Sequence, residues 1–193
     1  MCYREEHLVY NNPLFKDIKH SFLITLEGST RRDSYIYQLK KFQPTKYVTI
    51  LHNTNYKICN KKNIRSSYQD LWHAYKECCK RSIHINEPVL FLEDDFEFLP
   101  EFIINAREIE NFLNKNRNID IYSLGCVSLL NNPIPFNNNF KLFLACNSHA
   151  IIFSKKARNG VISTKENDVH VDWYLYTTFN CYTPRNPYAV QPH

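Results

Sequence analysis

No stretch of the chain approaches the roughly 18 consecutive apolar residues of a membrane span, so no transmembrane helix is expected. The opening segment, MCYREEHLVYNNPLF, lacks an apolar run long enough for a secretory signal. C-x-x-C pairs are missing too. Seven cysteines, an odd number with Cys78 and Cys79 adjacent, fit neither a zinc knuckle nor a disulfide framework. Mostly reduced, half-buried thiols are expected, and with them a cytoplasmic setting. Glycine is scarce, at three residues, and no repeat or break in composition marks a second domain.

What is present is ordinary globular material. Hydrophobic residues make up 44% and charged residues 22% of 193, which suits one domain over 1–193 with a sizeable core. Aromatics are plentiful at 15%. The net charge of +5 suits an anionic small molecule as well as nucleic acid, so it decides little.

Strands and helices alternate along the first two thirds of the sequence. SFLITL (21–26) reads as a buried strand. Thr30 with Asp33 then fits a capping box opening a helix over 33–42. YVTIL (47–51) is a second strand, and the Asn- and Lys-rich residues 53–65 read as an exposed loop. Ser67 with Asp70 forms another capping box for a helix through about 80, with Leu71, Trp72, Tyr75 and Cys78 at helical spacing. VLFLE (89–93) is a strand without alternation, hence buried on both faces. A helix from Pro100 to about 115 follows, then a strand over IDIYSLG (119–125). Residues 126–139 read as a polar loop, 141–145 and 149–154 as short strands, and 188–191 as a last one. Between the last two of these, Ser154 caps a helix to about 162, and 171–179 forms the final helix. This is the pattern of a three-layer α/β fold with helices on both faces of a sheet.

The third strand ends in Glu93, Asp94 and Asp95. Adjacent like charges repel, so the cluster asks for a reason. Ligands of open α/β sheets bind at the carboxyl ends of strands. If the chain stays extended, Glu93 and Asp95 point the same way, and two hard oxygen ligands suit Mg²⁺ or Mn²⁺. The plain alternative is a solvated acidic turn. Arg31 and Arg32, where the first strand meets its helix, favour phosphate oxygens; otherwise they are two solvated arginines.

VLFLEDDFEF resembles the strand-plus-EDD motif of glycosyltransferases with the GT-A fold, and most of all family 25, the lipopolysaccharide-type and procollagen-galactosyltransferase-like enzymes. Four further segments match that family in order: ITLEGSTRRDSYIYQL, SYQDLWHAY, IDIYSLG and SHAIIFSKKARNGVI. The sequence departs from the family's motifs where EGST precedes Arg31 and Arg32, and where Tyr68 replaces a histidine. The resemblance spans roughly residues 20–190. It implies a three-layer, Rossmann-like GT-A domain with a mixed central sheet. It also implies an inverting, metal-dependent transferase that moves a hexose from a nucleotide sugar, UDP-sugar foremost, to a glycan or glycoprotein hydroxyl. Asp95, with Glu93 or Asp94 assisting and His170 completing the shell, would hold Mn²⁺ or Mg²⁺. Arg32 foremost of the two arginines, with Arg31 beside it, and Ser67 would contact the donor. Asp172 would take the acceptor proton, with Asp168 as the fallback.

His149 is a weaker candidate ligand. Trp173, Tyr174 and Tyr176 could stack on sugar or base, though at helical spacing most are core. A metal-dependent phosphoryl hydrolase or nuclease could use the same carboxylates, but such sites want more converging acids, so no nucleic-acid partner is expected. A glycosyltransferase-like domain that only binds is the non-enzymatic alternative.

Overall fold

The computed structural model describes residues 2–61, 63–129, 134–165 and 170–192. In chain order the elements are β1 (Tyr3–Val9), β2 (His20–Leu26), α1 (Arg32–Phe42), β3 (Tyr47–Asn53), α2 (Ser67–Arg81), β4 (Val89–Glu93), β5 (Glu97–Phe98) and α3 (Glu101–Lys115). Next come β6 (Ile121–Ser123), β7 (Val127–Ser128), β8 (Ile134–Phe136), β9 (Asn139–Leu142), β10 (Ala145–Cys146) and β11 (Ala150–Phe153). The chain closes with α4 (Lys155–Ser163), α5 (Val171–Thr178), β12 (Cys181–Pro184) and β13 (Ala189–Val190).

A nine-stranded mixed sheet in the order β1-β3-β2-β4-β11-β6-β12-β9-β8 forms the middle layer. β3, β2 and β4 run parallel, as strands joined by crossover helices must, whereas β11 runs antiparallel between β4 and β6. Side chains alternate between two cores. Val89 and Phe91 of β4 pack with Trp72, Tyr75, Val161 and Leu175 beneath α2, α4 and α5. Leu90 and Leu92 pack with Leu39, Phe102 and Ile109 beneath α1 and α3. The fold is therefore α/β, with a large mixed central sheet between two helical layers, and a strand buried on both faces explains the unbroken apolar run. No helix of the described residues is long and apolar enough to cross a membrane.

Several local expectations are corrected. β1 was not foreseen: YREEHLV carries too many charges to read as a strand, yet it pairs antiparallel with β3 as an edge strand, where charge is tolerated. Neither capping box forms. Arg31 precedes α1 without a side-chain cap, and at α2 the cap is Ser66, whose hydroxyl accepts from the Gln69 N–H at 3.2 Å. Asp70 instead turns to Lys61, which is buried although its loop reads as exposed. The 126–139 segment carries β7 and β8, because β10 and β9 supply partners that the local sequence does not reveal. The expected strand over 141–145 splits into β9 and β10, which join different sheets. Cys2 and Cys59 form a disulfide with a Cα–Cα separation of 5.7 Å; only the pairing of β1 with β3 brings these ends together. The other five cysteines are free, as most were expected to be.

Candidate active site

β2 and β4 are parallel neighbours, with Ile24 opposite Glu93, so their carboxyl ends open at the same edge. The β4 strand stops at Glu93 and turns, and the three carboxylates take three directions. Asp94 ties down the β2–α1 turn: Oδ2 accepts from the hydroxyls of Thr25 and Ser29, each at 2.7 Å, and Oδ1 accepts from Arg31 at 3.0 Å. Gly28 makes that turn possible, with φ at +78°, where a side chain would be strained. Asp95 Oδ2 accepts from Gln191 Nε2 at 2.6 Å and lies 3.5 Å from Arg31; its Oδ1 is buried with no partner.

Glu93 is the third. Its Oε1 accepts from the Tyr75 hydroxyl at 2.7 Å. Burial pushes the Glu93 carboxyl up to about 8, with the charges of Asp172, Asp95 and Asp94 adding to the shift and the Tyr75 hydrogen bond opposing it. Burial also drives the Tyr75 hydroxyl well above its usual range, so it stays a donor. Among the described residues, no group of three or more His, Cys, Asp or Glu side chains is placed to hold a metal ion by itself. Extended backbone through residue 95 was the condition for Glu93 and Asp95 to point together, and the turn removes it.

Beside the carboxylates lies a cavity of about 570 Å³ whose walls include Thr25, Arg31, Asn55, Ser67, Glu93 and Asp94. The structure thus brings four residues chosen from the sequence, Arg31, Ser67, Glu93 and Asp94, to one cavity. Arg32 lies outside it. Its guanidinium forms a fork on Glu6 at 2.8 and 2.9 Å, and that hydrogen bond holds the Glu6 carboxyl down at about 2. The reason is helical geometry: adjacent residues at the start of α1 point some 100° apart. At the cavity floor sits an arrangement that sequence reading missed. Lys61 pairs with Asp70 and Asn53, and its ammonium lies 4.9 Å from the Tyr3 ring centre. No local signal distinguishes that lysine from its solvated neighbours.

The second carboxylate centre lies at the start of α5. His170 is the N-cap: its Nδ1 accepts from the Asp172 N–H at 3.3 Å, so Asp172 itself does not cap. The Asp172 carboxylate is buried and reaches back to the loop before β11. There Oδ2 accepts from the Asn147 N–H at 2.9 Å, and Oδ1 accepts from the Ser148 hydroxyl. Asn147 takes a left-handed conformation, φ +69°, to present that N–H; asparagine tolerates it better than most residues. The Ser148 carbonyl lies 3.1 Å from the same Tyr75 hydroxyl that serves Glu93, so one buried tyrosine spans the two centres.

His170 is half-exposed, stands edge-on to Tyr68 at 5.0 Å and lies 3.7 Å from Asp172, and these contacts join it to Asp172 and Tyr68. His149 is buried beside Glu93. Trp173 is half-exposed, while Tyr174 packs on Trp72 and Tyr176 is core. Asp168 lies outside the described residues.

No protein-family model matches the chain, and no curated protein matches it. Solved structures with a similar course include a glycosyltransferase involved in glycosylation of the major capsid of PBCV-1. It is 9% identical with a TM-score of 0.44, over 74% of this chain and 63% of that one. Another is a Bacillus anthracis protein assigned as a glucose-1-phosphate thymidylyltransferase, in complex with sucrose. It is 11% identical with a TM-score of 0.46, over 88% of this chain and 69% of that one. Likenesses of this size carry no information about substrate.

Proposed function

We propose that residues 1–193 form a GT-A-like glycosyltransferase domain that moves a hexose from a nucleotide sugar, UDP-sugar foremost, to a hydroxyl of a glycan or glycoprotein. The family-25 resemblance supplies the reaction class. The observation that carries the reading is the cavity at the carboxyl ends of β2 and β4, where Arg31 and Ser67 share walls with Glu93 and Asp94. An arginine beside a cavity of this size suits a diphosphate.

For a divalent ion, Mn²⁺ or Mg²⁺, the carboxylates would have to turn toward one point, since Glu93, Asp94 and Asp95 leave the β4 turn in three directions. Glu93, half-buried, feels the charges of three other carboxylates, a burden that a cation relieves. Asp95 is engaged at Oδ2 by an exposed glutamine amide and a long arginine contact, both exchangeable. Asp94 is committed to three donors, and His170 is committed to Asp172. Glu93 and Asp95 would therefore hold the ion, which would supply Lewis-acid stabilisation of the departing diphosphate.

This chain's own residues do the rest. Arg31 offers its guanidinium to the diphosphate as charge grows there. Asp172, fixed by Asn147 and Ser148, takes the proton of the acceptor hydroxyl. The acceptor oxygen then bonds to the anomeric carbon as the bond to the diphosphate breaks, on the opposite face, so configuration inverts. A thermal-shift panel of nucleotide sugars with and without Mn²⁺ and Mg²⁺ tests the reading. A donor that binds raises the melting temperature in step with its saturation, and sugar transfer then stops in Asp172→Ala. If no nucleotide sugar shifts the melt under any condition, the reading fails.

A further inference from the structure

One wall of the cavity stands apart from the sheet. Asn55 contributes to it from the segment after β3, and Ser67, Asp70 and Leu71 contribute from the start of α2. Asn55 opens a tight turn. Its carbonyl accepts from the Ile58 and Cys59 N–H groups, each at 2.9 Å, and its side-chain Oδ1 accepts from the Lys57 N–H at 2.9 Å. The Tyr56 N–H donates to Asp70 Oδ2 at 3.1 Å. Every amide of residues 56–59 is therefore engaged, yet the turn has little core beneath it: Lys57 and Ile58 are exposed, and Asn55 and Tyr56 are partly so. Segments of that kind, with exposed hydrogen bonds and few buried apolar contacts, open more easily than the sheet they border.

Cys59 ends the turn, and its sulfur is bonded to Cys2, the residue before β1. The sheet holds Cys2 firmly. β1 pairs with β3 from Tyr3 opposite Asn53 to Val9 opposite Tyr47, and the Cys2 carbonyl accepts from the Thr54 N–H at 3.0 Å. The bridge thus fastens the far end of the turn to the strand that flanks its near end. It also lies within reach of solvent. Both cysteines are partly exposed, and Cys2 lines an open hollow of about 580 Å³ with Tyr3, Arg4, Glu5 and Arg81.

We propose that Cys2–Cys59 is a redox-sensitive tether for this wall: oxidised, it holds the turn that carries Asn55; reduced, it releases the turn and weakens ligand binding in the cavity. A dithiol is the reductant. One of its thiolates attacks a bridge sulfur, forming a mixed disulfide and releasing the other cysteine. Its second thiolate then closes the reductant's own disulfide and releases the second cysteine. The protein takes up two electrons and two protons, and the dithiol gives up both. The effect on binding rests on the nucleotide-sugar reading and adds regulation to it; the effect on the turn does not depend on that reading.

Hydrogen exchange and calorimetric titration of UDP and GDP test this on the parent chain, with and without dithiothreitol, and on Cys59→Ser. Reduction is expected to speed exchange of the amides of residues 56–59 by about tenfold or more while those of β2 and β4 keep their rates. It is also expected to weaken nucleotide binding by about tenfold. Cys59→Ser should match the reduced parent and ignore dithiothreitol. Unchanged exchange in the turn overturns the tether, as does an equal rise across the sheet, which would mean a general loss of stability. Faster exchange in the turn with nucleotide affinity unaltered overturns its control of the cavity. A parent chain that binds neither nucleotide overturns the nucleotide-sugar reading and the control of binding, and exchange alone then decides the tether. Reduction of the parent needs no variant, so the test stands even if Cys59→Ser does not fold.

Discussion

The two carboxylate centres are built on opposite principles. At the end of β4, three acids are crowded together; Glu93 and Asp94 are held by Tyr75, Thr25 and Ser29, while Asp95 meets side chains that can leave: Arg31, half-exposed, and Gln191, exposed. At the start of α5, a single acid is held by a backbone N–H and a buried serine. The first centre is arranged to exchange its partners for a ligand. The second is arranged to keep one carboxylate in one place. Fixed geometry is what proton abstraction from a bound hydroxyl requires, and replaceable partners are what a cation or diphosphate requires.

The sharpest way to break this contrast is to delete one acid from each centre. Asp172→Ala is expected to bind donor as the parent does and to lose transfer by about 10²–10⁴-fold. Asp95→Ala is expected to lose metal-dependent donor binding while still folding. Calorimetric binding and single-turnover transfer assays separate the two; matching defects in both variants would erase the distinction.

Next in size is the contrast between neighbouring arginines. Arg31→Ala should weaken nucleoside diphosphate binding by about tenfold, the loss of one charge-assisted hydrogen bond. Arg32→Ala should change it by less than about twofold, because Arg32 is occupied by Glu6 outside the cavity; an exposed pair of that kind is worth little. Equal effects would mean that α1 presents a different face.

A smaller effect is read by pH. In the metal-free folded chain Glu93 holds its proton to about pH 8, whereas its ordinary value is 4.5. Between these values folding takes up a proton, so stability falls as pH rises through the window. Glu93→Gln should flatten that fall and melt several degrees above the parent at pH 8, with the difference vanishing below about pH 4.5. A parent chain whose melting temperature is level from pH 5 to 8, equal to that of Glu93→Gln, would show the carboxyl to be solvated. The smallest change expected is in Ser148→Ala, which removes one of two hydrogen bonds to Asp172 and should cost about 1 kcal/mol in denaturant unfolding. Ser148→Thr should restore most of it.

Legibility followed the range of the interactions. β4 was readable to the residue, since five apolar or terminal positions bounded by a proline and an acidic turn state their own limits. α4 was readable through Ser154, whose hydroxyl accepts from the Ala157 N–H at 3.1 Å. Of the missed elements, β1, β5, β7 and β12 are strands whose partners lie well away in the chain, whereas β8 closes a short hairpin with β9. The expected caps failed for a related reason: Ser66 and Ser67 offer the same hydroxyl, and only the path of the preceding loop selects between them.

The alternation of β2, α1, β3, α2, β4, α3 and β6, the doubly buried β4 strand and the crowding of acids at its end follow from the sequence itself, because periodicity and local charge are carried by neighbouring residues. Tertiary structure alone decided how those acids were spent: Asp94 on the β2–α1 turn, Glu93 on Tyr75, Asp95 on Gln191 from the far end of the chain. It also decided that Asp172 would be held by a loop 25 residues earlier, and that Arg31 and not Arg32 would face the cavity. These are contacts between distant segments, fixed by which strands pair and which way each side chain leaves its element, and neither is written in the local order of residues.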